Sequence, residues 1–126
     1  MRLLVDTHAV ILATVAPERL SLRARAAIDA ADNELMVSAA TAYELEFKRE
    51  RDPVIGRMPF DLERLFDGLG FTWLAVTATH ASLAGRLPRH HGDPIDRILV
   101  AQALTEGMPL LSADRRLPAY GADVIW

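Results

Sequence analysis

The 126-residue chain contains no cysteine, and this absence removes several kinds of chemistry. Without thiols there are no disulfides, no thiolate metal sites and no cysteine nucleophile. The chain also lacks an apolar run long enough to span a bilayer, and its first residues, MRLLVDTHAV, meet an aspartate too early for a secretory signal peptide. We therefore expect a cytoplasmic protein with no membrane association.

The chain also has little lysine and no net positive charge. Lys48 is the only lysine among 14 basic residues, so the other 13 are arginine, and the formal net charge is −3. This balance excludes a globally basic nucleic-acid binder. It does not exclude RNA as a substrate, because carboxylates gathered at a metal site lower the net charge without repelling RNA elsewhere. Arginine suits bidentate contacts to phosphate, although GC-rich coding explains the same bias.

The overall composition indicates a single folded domain. The chain is 51% hydrophobic and 25% charged, which is enough apolar surface for a core and too much for a disordered segment. No repeat, low-complexity segment or linker divides it. Residues 1–126 are expected to form one domain.

Apolar runs alternate with helical patterns along the whole chain. The runs are continuous rather than alternating, which is typical of strands in a parallel sheet that is covered on both faces. The predicted strands are 2–6, 34–38, 71–76, 109–114 and 122–126. The sequence therefore predicts the α/β class, with a mostly parallel sheet of about five strands and helices on both faces.

Acidic residues follow these strands repeatedly. Asp6 ends the first strand, Glu44 lies in the helix after the second, and Asp114 lies at the end of the fourth. Asp93 and Asp96 begin the helix that leads into the fourth strand. In an open parallel sheet, ligands bind beyond the carboxyl ends of the strands, so these side chains are expected to converge at one edge.

Each acid, taken alone, also has a structural explanation. Asp6 could cap the first helix, Glu44 could pair with Lys48 at i,i+4, and Asp114 could sit in a turn. In HHGDPIDRILVAQAL (90–104), Asp93 suits the N-cap position of a helix and Pro94 suits the first helical position. Asp96 then lies near the positive end of the helix dipole.

Gathered together, four or five carboxylates repel one another unless a cation lies among them. An all-oxygen ligand set suits Mg²⁺ or Mn²⁺ better than zinc. Such a cluster is what metal-assisted cleavage of a phosphodiester requires.

Four motifs in order along the chain resemble the PIN-domain family, and within it the VapC toxins of bacterial toxin–antitoxin pairs. The motifs are LLVDTHAVILA, VSAATAYELEFK, HHGDPIDRILVAQAL and LLSAD. The resemblance implies a PIN domain over 1–126 and a Mg²⁺- or Mn²⁺-dependent endoribonuclease. It also implies an RNA substrate, a homodimer and a VapB-type antitoxin, through which alone DNA would be contacted.

The resemblance also implies which residues form the site. The family's acids fall on Asp6, Glu44, Asp96 and Asp114, with Asp6 and Asp96 as principal metal ligands. Asp93 is an additional acid of this motif variant and a secondary candidate. The small hydroxyl after the first acid is Thr7, which is expected to contact an acid or a water molecule.

The basic residues near these acids have two open interpretations. Arg97, Arg115 and Arg116 could hold RNA phosphates or pair with neighbouring acids. His90 and His91 are adjacent and cannot form a helical H-x-x-x-H metal site, so we expect them to support the loop or the residues behind the site.

Two other functional classes remain open at this stage. A non-catalytic PIN-like module could act with a DNA-binding partner as an autoregulator, and a DNA nuclease could use the same chemistry. A receiver-type phosphoacceptor domain also gathers acids at strand ends, but it needs a late lysine that this chain lacks.

Overall fold

The computed structural model, which describes residues 1–126, contains five strands and six helices, and two helices separate each of the first three strands from the next. The strands are β1 (Arg2–Val5), β2 (Glu34–Ser38), β3 (Thr72–Leu74), β4 (Leu110–Leu111) and β5 (Val124–Ile125). The helices are α1 (Thr7–Val15), α2 (Leu22–Asp29), α3 (Ala39–Lys48), α4 (Leu62–Gly68), α5 (Ala78–Arg86) and α6 (Pro94–Glu106). Short 3₁₀ turns cover Pro17–Arg19, Ile55–Arg57 and Leu117–Tyr120. No helix has both the length and the apolar character needed to cross a bilayer.

All strand pairs are parallel, in the order β3-β2-β1-β4-β5. The predicted α/β class, strand number and parallel sheet are therefore confirmed. β4 is shorter than the predicted run 109–114. The Asp114 N–H donates to Ser112 Oγ at 3.1 Å, so the chain leaves the sheet within that run.

The strand order places a crevice between β1 and β4. From β1 the chain builds outward through β2 to β3, then crosses to the other side of β1 for β4 and β5. The loops after β1 and β4 consequently lead in opposite directions, and ligands of open α/β sheets bind at this point. Val5 is in register with both Val37 and Leu111, so the three central strands end at the same level.

The sheet separates two apolar cores, because successive side chains of a strand point to opposite faces. Leu3 and Val5 pack into one core with buried side chains from α1, α2, α3 and α4. Leu4 packs into the other core, which contains Leu99, Val100 and Ala103 of α6. The prediction of helices on both faces is thereby confirmed.

Helix α6 is fixed at both ends by local sequence. Asp93 is its N-cap and Pro94 its first residue, where a missing N–H costs nothing. Gly107 ends it with a φ of 63°, a left-handed conformation that favours glycine. These two residues determine where the first turn of α6 lies, and that turn carries Asp96.

The packing predicts that Leu99→Ala lowers the free energy of unfolding by about 2–5 kcal/mol, because a fully buried leucine leaves a cavity when truncated. Urea unfolding followed by circular dichroism, in EDTA, measures the loss. Leu22→Ala is the matched control, since Leu22 is 90% exposed. Its expected change is within about 0.5 kcal/mol. Equal losses in the two variants would contradict the assignment of the core.

Candidate metal centre

A cleft of about 430 Å³ opens beyond the carboxyl ends of β1 and β4. Its lining contains one ammonium group, that of Lys48, and six carboxylates. These carboxylates belong to Asp6, Glu44, Asp52, Asp93, Asp96 and Asp114. The structure thus brings together all five of the acids that the strand ends predict, with one more at the margin.

Asp6 enters the cleft directly from the end of β1. Its side chain is buried, and Oδ1 accepts the Ala9 N–H at 2.7 Å, which caps α1. Burial raises the pKa of Asp6, although the Ser112 hydroxyl and the Ala9 N–H oppose this rise. The capping role and a place in the cleft therefore belong to the same carboxylate.

Glu44 also combines a structural contact with a place in the cleft. It lies on α3, its side chain is only 8% exposed, and Oε2 accepts a hydrogen bond from Lys48 Nζ at 2.7 Å. This hydrogen bond raises the pKa of Lys48, so the ammonium group stays charged and holds the glutamate in place.

Asp93 and Asp96 lie at the start of α6. Asp93 Oδ1 accepts the N–H groups of Ile95 at 2.8 Å and Asp96 at 3.1 Å, as predicted for an N-cap. Burial, together with the negative charges of Asp93, Glu44 and Asp6, raises the pKa of Asp96 to about 6. The His91 ring opposes this rise. The cleft thus holds more negative charge than its own residues neutralise.

Asp114 accepts hydrogen bonds from the exposed residue Arg116. Its Oδ1 accepts the Arg116 N–H at 2.9 Å, and Oδ2 accepts from the Arg116 guanidinium at 2.8 Å. The side-chain hydrogen bond from Arg116 holds the pKa of Asp114 well below its usual range. Of the two interpretations left open for Arg116, the structure therefore shows pairing with an acid.

His91 contacts two of these carboxylates, which matches one of the two roles expected for it, although the sequence did not identify which acids it meets. Its Nε2 lies 2.8 Å from Asp114 Oδ2 and 3.1 Å from Asp96 Oδ2, and the ring is buried. The only signal in the sequence is the pair His90–His91 directly before the Asp93–Pro94 helix start. Adjacent histidines are common in loops, so this signal does not distinguish a site residue from a loop residue.

The nitrogen of His91 in contact with the acids is a hydrogen-bond donor. One ligand atom from each of His91, Asp96 and Asp114 lies within 4.8 Å of the others, a spacing that a metal ion could bridge. However, His91 Nδ1 accepts the Asp93 N–H at 3.0 Å, so the proton of the neutral ring lies on Nε2. A protonated Nε2 has no lone pair for a metal, and the carboxylates remain the candidate ligands.

The donor set fits a hard divalent cation. It contains carboxylate oxygens and no sulfur, and its negative charges are only partly paired. Oxygen ligands of this kind suit Mg²⁺ or Mn²⁺. Because nearby like charges raise the pKa of Asp96, a cation among the carboxylates would relieve a repulsion that the protein alone leaves in place.

The other predicted residues occupy different positions. Thr7 lines the cleft, but its Oγ1 lies 3.1 Å from Thr41 Oγ1 and so links α1 to α3 rather than contacting an acid. Arg115 is exposed and has no acidic partner within 4.0 Å. Its contact with RNA phosphate stays a prediction.

Arg97 directs its guanidinium to backbone carbonyls rather than to an acid, and its contact with RNA phosphate stays a prediction. It donates to Ala84 O at 2.8 Å, Leu87 O at 2.7 Å and Pro88 O at 2.9 Å. Arg97 forms no ion pair and is not part of the cleft lining. Its role is to tie the segment before α6 to the first turn of that helix.

Asp52 is the carboxylate that the sequence did not identify. It accepts the N–H groups of Val54 at 2.8 Å and Ile55 at 3.2 Å and lies at the margin of the cleft. It follows a helix rather than a strand, so the strand-end pattern gave no reason to select it.

Comparison with known proteins assigns the chain to a family. The PIN-domain family model matches residues 3–123, so the chain belongs to the PIN-domain family. The resemblance inferred from the four motifs is confirmed.

Particular relatives narrow this assignment. Over 121 residues the chain is 33% identical to ribonuclease VapC22 of Mycobacterium tuberculosis, covering 93% of this chain and 90% of the relative. Its structure is similar to that of VapBC2 from Rickettsia felis bound to a promoter DNA fragment, with a TM-score of 0.74, 13% identity and coverage of 98% and 97% of the two chains. DNA-bound VapBC from Salmonella typhimurium gives a TM-score of 0.68 at 16% identity, covering 98% and 96%. At these identities the two solved structures support the fold.

The electrostatics of the metal-free cleft predict a stability change for Asp96→Asn. The pKa of Asp96 is about 6 in the folded chain, against 3.8 for an unperturbed aspartate. The folded state binds this proton more tightly than the unfolded state, so the contribution of Asp96 to stability falls as the pH rises from about 4 to about 6. At pH 7 the variant is expected to be more stable by about 1–2 kcal/mol, allowing for partial exposure.

Urea unfolding in EDTA at pH 4 and pH 7 measures this difference, which is expected to vanish at the lower pH. Asp67→Asn is the control, because Asp67 is exposed and lies outside the cleft. A variant less stable than the wild type at pH 7 would show that Asp96 is not electrostatically strained.

Proposed function

We propose that the chain is a Mg²⁺- or Mn²⁺-dependent endoribonuclease and the toxin of a VapBC-type toxin–antitoxin pair. The observation that carries the proposal is the convergence of Asp6, Glu44, Asp96 and Asp114 in one cleft at the carboxyl edge of the sheet. The 33% identity to a protein named ribonuclease VapC22 supports the same activity.

Asp6 and Asp96 are the principal candidates to hold the metal, directly or through water, and Glu44 and Asp114 complete the set. Asp93 is a secondary candidate, since its Oδ1 is already used as the helix cap. Bound there, Mg²⁺ or Mn²⁺ would acidify a water molecule and neutralise charge on the scissile phosphate.

The protein's own contribution is to hold the carboxylates in fixed orientations. Asp96 is largely ionised above pH 6, which follows from its pKa of about 6. Lys48 anchors Glu44, and Arg116 anchors Asp114. No side chain needs to form a covalent intermediate. The exposed Arg115, next to Asp114, is proposed to bind an RNA phosphate, and Thr7 supports the cleft wall.

Partner proteins are part of the proposal. Three large aromatic side chains lie exposed on α3 and before α4: Tyr43 at 63%, Phe47 at 59% and Phe60 at 85%. An exposed apolar surface of this kind is typical of a protein contact. The similar solved structures are VapBC complexes, which supports a VapB-type antitoxin. We also propose a homodimer that acts in the cytoplasm, where its RNA substrate is present, with DNA contacted only through the antitoxin.

Cleavage of RNA by the purified chain tests the proposed activity. We expect Mn²⁺-dependent cleavage that EDTA stops, and a loss of about 100-fold or more in Asp6→Asn and Asp96→Asn, because each removes a ligand charge. Asparagine caps helices as well as aspartate does, so Asp6→Asn is expected to keep its fold.

Asp67→Asn is the matched control and is expected to cleave at the wild-type rate. A wild-type protein that folds but cuts no RNA with either metal would support the non-catalytic module instead. Cleavage of DNA in place of RNA would favour the DNA nuclease.

The partner proposals predict two further outcomes. Light scattering on the purified chain should give twice the mass of the 13.9 kDa monomer. Co-expression with the product of a neighbouring small gene that encodes a DNA-binding protein should yield a complex without RNase activity. A monomer, or a complex as active as the free chain, would contradict the corresponding proposal.

A further inference from the structure

His91 approaches two candidate metal ligands through a single atom. Its Nε2 is 2.8 Å from Asp114 Oδ2 and 3.1 Å from Asp96 Oδ2. These carboxylates come from different parts of the chain, the loop after β4 and the first turn of α6. His91 is therefore the connection between two elements that the candidate metal site requires at a fixed spacing.

The direction of the hydrogen bond follows from the other side of the ring. Nδ1 accepts the Asp93 N–H at 3.0 Å, which leaves the proton of the neutral ring on Nε2. The N–H therefore donates to Asp114 Oδ2, and Asp96 Oδ2 lies 3.1 Å from the same nitrogen. A ring with its proton on Nδ1 would place two hydrogens against each other and an Nε2 lone pair against two negative charges.

The backbone of His91 is also held firmly. Its N–H donates to Tyr120 Oη at 2.8 Å, and its carbonyl accepts from Arg97 Nη1 at 3.3 Å. Arg97 Nη1 also lies 3.4 Å from Tyr120 Oη. The ring is buried, with 6% of the residue exposed. These contacts leave the ring little freedom to swing away from the acids.

A comparison within the chain separates this arrangement from an ordinary buried histidine. His80 Nδ1 likewise accepts a backbone N–H, that of Thr77, and its Nε2 lies 2.9 Å from Glu106 Oε1. His80 contacts a single carboxylate away from the cleft lining and joins α5 to α6. The bridge between two cleft carboxylates distinguishes His91.

We propose that His91 is a positioning residue, whose Nε2–H donates to Asp114 Oδ2 while the same nitrogen lies 3.1 Å from Asp96 Oδ2, so that both carboxylates are kept side by side for a divalent cation. That a cation binds these carboxylates depends on the proposed function, whereas the hydrogen-bonding role of His91 does not. Without the N–H, the two like charges separate and the cation must bring them together again. Partners that orient ligands in this way typically change metal affinity by about 10–100-fold when removed.

Two substitutions of His91 test the roles of its two ring nitrogens separately. His91→Gln places an amide N–H near the position of Nε2, whereas His91→Asn keeps an acceptor near Nδ1 and has no donor that reaches the acids. Titration calorimetry with Mn²⁺, without RNA, is expected to show about 10–100-fold weaker binding in His91→Asn. His91→Gln is expected to retain most of the wild-type affinity. His90→Asn is the control, because His90 is exposed and lies outside the cleft lining.

A second measurement does not depend on metal. Long-range ¹H–¹⁵N spectra of the metal-free protein are expected to show His91 as the Nε2–H tautomer, with the signal assigned by its absence from His91→Asn. The Nδ1–H tautomer would overturn the proposal even if the protein binds Mn²⁺ and cuts RNA.

The binding results also distinguish a failure of the positioning role from a failure of the proposed function. Wild-type affinity in His91→Asn overturns the positioning role and leaves the proposed function intact. Equal losses in the Asn and Gln variants identify His91 as a ligand and overturn the role as well. A wild-type protein that binds no Mn²⁺ overturns both. If His91→Asn does not fold, Tyr120→Phe replaces it, because that change removes the hydroxyl that anchors the His91 backbone and leaves the imidazole in place. Unchanged Mn²⁺ affinity in that variant would count against the proposal.

Discussion

Electrostatic repulsion among carboxylates at the carboxyl edge of the sheet is the constraint that the surrounding structure has to satisfy. Asp6 and Asp93 accept N–H groups at the starts of α1 and α6, where the positive end of the helix dipole favours negative charge. Glu44 and Asp114 are paired with basic side chains. Asp96 has no basic side chain of this kind beside it, and burial together with the charges of neighbouring carboxylates raises its pKa to about 6. The cleft therefore retains negative charge that its own residues do not neutralise, and Asp96 is the carboxylate that an external cation would relieve most directly.

Much of this arrangement could be predicted from the sequence, because it depends on order along the chain. Continuous apolar runs around Leu4 and Met36 indicate buried parallel strands, and parallel strands end at a common edge. Asp6 and Asp114 follow two such runs, so their proximity follows from topology alone. The start of α6 was predictable for a different reason, since capping is local and Asp93–Pro94 is a strong signal.

Contacts that depend on distant residues could not be predicted in the same way. The His91 N–H meets the hydroxyl of Tyr120, 29 residues later in the chain, and its ring meets Asp114. Arg97 illustrates the same limit, because its acceptors are backbone carbonyls, which have no signature in the sequence. An arginine beside an acidic motif suggests an ion pair or a phosphate contact, whereas geometry assigns it to the backbone.

The division of labour among the acids has an evolutionary consequence. Asp6 and Asp93 each cap the start of a helix, so most substitutions of either residue disturb the fold as well as the cleft. Asp96 caps no helix, and its negative charge destabilises the metal-free protein. A lineage under pressure to silence the proposed activity thus has a single-step route through this position. The silenced descendant would keep its helices, its exposed aromatic side chains and its capacity to meet a partner protein.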